Sequence, residues 1–257
     1  MGQKRLRVAG MLALALTAGC GGDRTQTQRS APPDARRVDA STAGRISGRV
    51  IVEGPVPETP PIRTDSDPVC ARENKDGLSL ETIVVENGGL NNVFVYVKDG
   101  LGNYFFDAPA DPVKLDQQGC RYRPHVFGVQ TGQPVEIRNS DPTLHNVHAV
   151  ARVNRGFNFG QAMQGFTNTT SFTAPEVMVR FKCDVHGWMS AYAGVLTHPY
   201  FAVTAHGGTF ELKDVPPGTY IVEAWHEKLG TQTQNVTLAE KGSKELSFTF
   251  RSAATND

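Results

Sequence analysis

The sequence predicts an all-β protein, and three observations carry that expectation. Short apolar runs recur along the chain, several of them alternating with polar residues. Turn-forming residues divide these runs, with 26 Gly and 16 Pro among 257 residues, which is how many short strands joined by turns are written. No stretch sustains a 3.6-residue apolar period beyond about two turns. Hydrophobic content is 39%, enough for a packed core, and the length suits one large or two small domains.

The chain opens on Lys4, Arg5 and Arg7, then an apolar run from Val8 to Thr17, then Ala18 and Gly19 before Cys20. That order reads as an export signal over residues 1–19, too short in its apolar part to span a bilayer as a mature helix. Leu-Thr-Ala-Gly-Cys resembles a bacterial lipoprotein cleavage site, which implies a lipid on Cys20. The resemblance places the chain in a bacterial cell envelope, periplasmic or on the outer surface, held to the membrane by that lipid. Formal net charge is zero. Without residues 1–19, which hold three cations and no acid, the chain would carry 23 basic and 26 acidic side chains. No basic stretch outside the leader is dense enough to track phosphates, so no nucleic-acid partner is expected. Residues 20–44 are rich in Gly, Pro, Arg, Thr, Gln, Ser and Asp without apolar periodicity, and read as a flexible tether.

Strand signals begin at Arg45. Ile46, Gly48, Val50 and Val52 alternate with polar residues before a Gly-Pro-Val-Pro turn. Ile83–Val85 and Val93–Val97 flank Asn87-Gly88-Gly89, a hairpin signature. Val126–Gln130 and Pro134–Arg138 flank Thr131-Gly132, a second hairpin signal. Val177–Phe181 leads into Cys183. Phe210–Leu212, Tyr220–Ala224, Gln234–Leu238 and Glu245–Phe250 complete the set. A β-sandwich with Greek-key connections is the expectation.

The strongest chemical signal is Cys183-Asp-Val-His186-Gly-Trp-Met189. A thiolate, an imidazole and a thioether within seven residues suit copper or zinc rather than a hard cation. A trigonal blue-copper site needs a second imidazole, which the segment from Asn139 to His148 can supply. His145 is favoured over His148, because three residues along an extended strand reverse the facing side. His125 reads as structural, on a strand near a disulfide. His198 and His226 show no metal spacing, and His226-Glu227 lacks the last His of a zinc-peptidase motif.

These residues resemble the cupredoxins, the plastocyanin and amicyanin type in particular. The match runs through Phe127-Gly-Val-Gln-Thr-Gly132-Gln-Pro-Val135-Glu-Ile137, Asn139, His145-Asn146, Phe172 to Cys183, and Cys183-x-x-His186-x-x-Met189, covering about residues 112–197. The resemblance implies one type 1 copper ion per chain, held by His145, Cys183, His186 and Met189. It implies that Asn146 braces the Cys183 loop by hydrogen bonds. It further implies one-electron transfer with a redox partner protein, expected to dock near an exposed edge of His186, with Gly187, Trp188 and Ala191. No enzyme is expected: a trinuclear His-Cys-His pattern is missing, and a single metal-range cysteine excludes a thiolate-bridged copper pair. Two other functions stay open, a copper storage or delivery protein and a cell-surface binding module with structural copper. Only five Met occur and no Met-rich tract, which favours the carrier.

Gly208 to Glu227, with its Pro216-Pro217-Gly218 turn, resembles the end of a carboxypeptidase regulatory-like domain, a small transthyretin-like and carbohydrate-binding-like sandwich. Arg45 to Gly54 resembles its start. No catalytic peptidase domain accompanies it, so a scaffold role is implied. The expected layout is an insertion: residues 45–106 and 196–251 form a discontinuous sandwich around a cupredoxin at 107–195. Cys70 and Cys120, two thiols left over in an oxidising compartment, are expected to form a disulfide.

Overall fold

The computed structural model describes Gly2 and residues 30–252; the expected signal segment and Cys20 lie outside the described residues. Strands dominate, as the alternating sequence requires. Among the described residues there is one short α-helix, Pro68–Glu73.

Four sheets stack face to face. The outermost holds Thr209–Val215, Gly44–Glu53, Gly89–Leu90 and Val85–Glu86 in that order, with Ser243–Arg251 also on Gly44–Glu53. The next orders Phe201–Val203, Phe94–Asp99, Gly218–His226 and Gly230–Leu238. These two sheets, drawn from both ends of the chain, enclose one core with Ile46, Val50, Val93, Val95, Val97 and Phe248 at its centre. The strand Gly44–Glu53 runs parallel to Ser243–Arg251 in register from Arg45↔Ser243 to Glu53↔Arg251. Phe94–Asp99 pairs antiparallel with Gly218–His226.

The other two sheets come from the middle of the chain. One orders Phe157–Gln161, His145–Val150, Glu176–Lys182, Ser190–Leu196 and Val126–Gln130; the other orders Thr167–Thr170, Val135–Asn139, Val113–Gln117 and Tyr122–Arg123. They enclose a second core that includes Leu115, Phe127, Ile137, Val147 and Phe181, together with Cys183 and Met189. A third cluster joins the sandwiches: Phe94, Tyr96, Val126 and Leu196, with Tyr192, Phe201 and Trp225 against it. Alternation explains the stacking. In Phe94–Asp99 the valines at 95 and 97 face the terminal core while Phe94 and Tyr96 face the central sandwich. Both faces of that strand are therefore apolar, and its first four residues are buried.

Three expectations need correction. Val126–Gln130 and the strand after it do not form a hairpin: Val126–Gln130 runs parallel to Ser190–Leu196, while Val135–Asn139 joins the opposite sheet. The turn at Thr131-Gly132 carries the chain between sheets, pinned by Gly132 N–H to the Phe172 carbonyl. The hairpin at Asn87-Gly88 does form, but between Val85–Glu86 and Gly89–Leu90, and Phe94–Asp99 lies in the next sheet. Finally, residues 34–43 of the expected tether lie against the body. Arg36 bridges Tyr104 in the backbone and stacks over its ring at 4.5 Å, and Arg37 pairs with Asp107 at 2.6 Å. Low apolar content hid this docking, because planar guanidinium groups on aromatic rings supply the contact.

Candidate metal centre

At one end of the central sandwich, two loops converge. Asn139 closes the strand Val135–Asn139, and its side-chain amide donates to the carbonyls of Thr143 and Gln161. Its side-chain oxygen accepts from Asp141 N–H. The 140–144 loop is thereby folded onto the sandwich, and His145 begins the next strand fully buried. Its alternation puts His145 and Val147 inward and His148 outward. His148 pairs instead with Asp184 at 2.9 Å, near the surface.

The second loop starts where Glu176–Lys182 ends. Cys183 N–H donates to the Met189 carbonyl and Met189 N–H to the His186 carbonyl, closing a compact turn. The backbone N–H groups of His186 and Asn146 point at Cys183 Sγ, at 3.3 and 3.4 Å. Asn146 ties the two loops together: its Oδ1 accepts from Asp184 N–H at 3.0 Å, and its Nδ2 donates to Asn158 and to the Phe159 carbonyl. Tyr122 adds a hydroxyl that reaches the carbonyls of Asn146 and Lys182.

These loops bring three predicted ligands together. His145 Nδ1 and His186 Nδ1 lie 3.0 Å apart, and Cys183 Sγ is 3.9 Å from His186 Nδ1. The three donor atoms all lie within 4.8 Å of one another, in buried residues. Met189 is 2% exposed and packs in the same core as Cys183. The donor set fits a soft or borderline cation: one thiol, two imidazole Nδ1 atoms and a thioether nearby. Electrostatics agree. Burial pushes the Cys183 thiol up, but His145, His186 and the backbone N–H groups of His186 and Asn146 outweigh it and hold it at about 6. Burial pushes His145 down, yet Asp141 and Cys183 raise it to about 9.

Two residues of the site escaped the sequence reading. Asp141 Oδ2 accepts from His145 Nε2 at 2.8 Å, and Asp67 Oδ2 accepts from His186 Nε2 at 3.0 Å. Burial raises Asp67, while hydrogen bonds from Thr143, Cys70, Val69 and His186 hold it at about 2. A signal was present: Ser66-Asp67-Pro68 and Ser140-Asp141-Pro142 are the same tripeptide, each shortly before a site segment. Asp67 caps the helix Pro68–Glu73, accepting from the N–H groups of Val69 and Cys70.

Cys70 and Cys120 form the expected disulfide, at 2.01 Å. It lies on the site itself, with Cys70 Sγ 3.6 Å from His186 Nε2. This overturns the expected exposed edge of His186. The imidazole is 2% exposed, covered by Asp67 and the disulfide and flanked by Trp188, whose ring centroid is 5.0 Å away. Ala191 is buried as well. Trp188 Nε1 donates to the Cys120 carbonyl, so the loop and the cover are one unit. His125 sits just before Val126–Gln130 and is structural, meeting the Ser190 carbonyl and Glu227.

No known family profile and no curated protein matches the chain. Solved structures do. A purple cupredoxin from Nitrosopumilus maritimus is 17% identical, with 32% of this chain and 98% of that one covered and a TM-score of 0.28. A mutant of amicyanin in its Cu(I) form is 23% identical, with 34% and 85% covered and a TM-score of 0.30. The copper-containing nitrite reductase of Thermus scotoductus SA-01 is 16% identical over 58% of this chain, which spans 28% of that longer protein, with a TM-score of 0.32.

Proposed function

We propose that this chain is a type 1 copper protein that carries single electrons in the cell envelope. One copper would be held by His145, Cys183, His186 and Met189. The observation that carries the reading is the convergence of His145 Nδ1, His186 Nδ1 and Cys183 Sγ within 4.8 Å at a buried site. Bound there, copper would supply a one-electron couple. The protein's own residues do the rest. The sandwich fixes His145 on a strand, the Asn146 side chain locks the Cys183 loop to that strand, and the N–H groups of His186 and Asn146 stabilise the thiolate. A site so fixed before the metal arrives changes little between oxidation states. This chemistry is electron carriage rather than catalysis.

The domain layout proposed with it is a scaffold of residues 45–106 and 196–251 around a copper domain at 107–195. Support comes from the sheets, because strands on either side of the central segment pair with each other. A lipid on Cys20 would tether the protein to the membrane, and a redox partner protein would dock at the end that carries Trp188.

The test is an optical spectrum of the protein loaded with Cu(II). An intense blue thiolate band that is lost in Cys183→Ser supports the reading. A colourless Cu(II) complex, or colour that survives removal of Cys183, sinks it.

A further inference from the structure

The disulfide and the two imidazoles share an arrangement that the ligand set alone does not explain. The Cys70 N–H donates to Asp67 Oδ1 at 3.2 Å, and Asp67 Oδ2 holds His186. The Cys120 N–H donates to Asp141 Oδ2 at 2.8 Å, and the same oxygen holds His145. Each half of the disulfide thus carries one carboxylate, and each carboxylate carries one imidazole. Further contacts stiffen both arms. Val69 N–H and the Thr143 hydroxyl also donate to Asp67, at 2.7 and 2.8 Å, and Gly119 N–H donates to Asp141 at 2.7 Å. The Thr143 bond crosses from one arm to the loop of the other.

We propose that Asp67 and Asp141 are positioning residues for His186 and His145, and that the Cys70–Cys120 disulfide is the outer brace that sets their spacing. A carboxylate only accepts, so each imidazole must present N–H at Nε2 to its partner. That leaves each Nδ1 facing the other across 3.0 Å, beside Cys183. Orientation by a carboxylate on the far nitrogen raises imidazole basicity and fixes ring rotation. One half of the brace, Cys70, comes from a segment outside the central sandwich, so the cover over His186 also sets its geometry. This proposal rests on the metal-site reading for what the imidazoles bind, but its structural half does not.

The experiment uses the full chain. Asp67→Asn is the informative change, because Asn keeps a good N-cap for Pro68–Glu73. With its Oδ1 taken by the Val69 and Cys70 N–H groups, Asn turns an amide N–H toward His186 Nε2, which can pair with it only when that nitrogen carries no proton. In the metal-free, 15N-labelled protein, long-range 1H–15N spectra should show His186 protonated at Nε2 in the wild type and losing that preference in Asp67→Asn. Titration with Co(II) and Cu(II) should show 10–100-fold weaker binding in Asp67→Asn and in Asp141→Asn, the range usual for such partners. Cys70→Ala with Cys120→Ala, which keeps both carboxylates but removes the brace, should weaken binding as well. Thermal unfolding of each metal-free variant shows that it folds. An unchanged His186 tautomer in Asp67→Asn, or affinity within twofold of wild type in folded variants, overturns the proposal. Wild-type protein that binds neither metal refutes the electron-carrier reading instead, and the tautomer measurement still decides the role of Asp67.

Discussion

Gly128 and Gly194 stand opposite each other in the parallel ladder between Val126–Gln130 and Ser190–Leu196, and each receives a phenylalanine ring from the terminal sandwich. A methyl group on Gly128 would fall 2.2 Å from the Phe201 ring, and one on Gly194 would fall 2.3 Å from Phe94. The two rings stack on each other with centroids 5.7 Å apart. The paired glycines therefore form a recess that seats the neighbouring sandwich.

Gly194→Ala should destabilise the protein by about 1–3 kcal/mol, the usual cost of overpacking a rigid contact. Gly128→Ala should cost a similar amount, and the double variant less than the sum, because one displacement of the stacked rings relieves both clashes. Urea unfolding of the three variants checks this. Strict additivity would mean that the rings do not move together.

Glu227 should act as a second rivet between the sandwiches. Its carboxylate meets His125 Nε2 at 2.5 Å and accepts from the Tyr192 hydroxyl at 3.0 Å, with His125 and Glu227 side chains each 6% exposed. Glu227→Ala leaves the buried His125 and the half-buried Tyr192 hydroxyl without this acceptor and should cost about 3 kcal/mol. A loss below about 0.5 kcal/mol, typical of an exposed pair, would contradict the buried geometry.

Acid should weaken the fold through His226. Burial holds this imidazole down, with His125 adding to that and Glu227 opposing it, at about 4. Its Nδ1 accepts from the N–H groups of Lys228 and Leu229, so a proton there would break both contacts. The unfolded chain takes up the proton near 6.5, before the folded one does. Stability is therefore full above that value and falls as pH drops from about 6.5 to 4, by about 3 kcal/mol for a shift of this size. Buried His198, also held at about 4, acts in the same window. Denaturant unfolding from pH 7 to 4 should show a shallower slope in His226→Leu, and an equal slope would refute the assignment.

Loss of the disulfide should cost about 4 kcal/mol by the chain-entropy model, for a 50-residue separation. Cys70→Ala with Cys120→Ala, measured without metal, isolates this term from any effect on metal affinity.

On the type 1 copper reading proposed above, Met189→Leu should keep the blue colour of the Cu(II) form and raise its reduction potential, because an axial thioether would bond weakly and tune the couple. Redox titration reads the shift. Bleaching in this variant would assign Met189 a stronger bond than an axial ligand makes.

Much of this molecule was legible in its residues. Alternation and short apolar runs located about half of the strands, since a half-buried strand writes its facing side into every second position, and the pattern around Cys183 and His186, with His145, pointed to the end of the sandwich where those three side chains converge. What stayed hidden depends on contacts between distant segments. Thr167–Thr170 is polar and mostly exposed and so lacks an apolar signature, and Phe157–Gln161 offers only two alternating phenylalanines. Thr131-Gly132 has turn chemistry that serves a hairpin and a sheet-to-sheet crossing equally well. Asp67 lies 119 residues from His186, and beyond the repeated Ser-Asp-Pro tripeptide its local sequence reads simply as a helix cap. The exposed edge of His186 was expected as part of an apolar docking patch with Gly187, Trp188 and Ala191. Its cover is built from a different part of the chain.

The parallel ladder between Gly44–Glu53 and Ser243–Arg251 has a consequence for the order of assembly. Its partners are 198 residues apart, as at Arg45 and Ser243. At synthesis rates of about 5–20 residues per second, the first strand waits about 10–40 s for the last. All strands of the central sandwich leave the ribosome within that interval. The waiting strand is a bare edge, the kind that recruits other nascent chains. Arg45, Arg49 and Glu53 space charges along it, the kind of side chain that blunts an exposed edge, until Ser243–Arg251 arrives to close it.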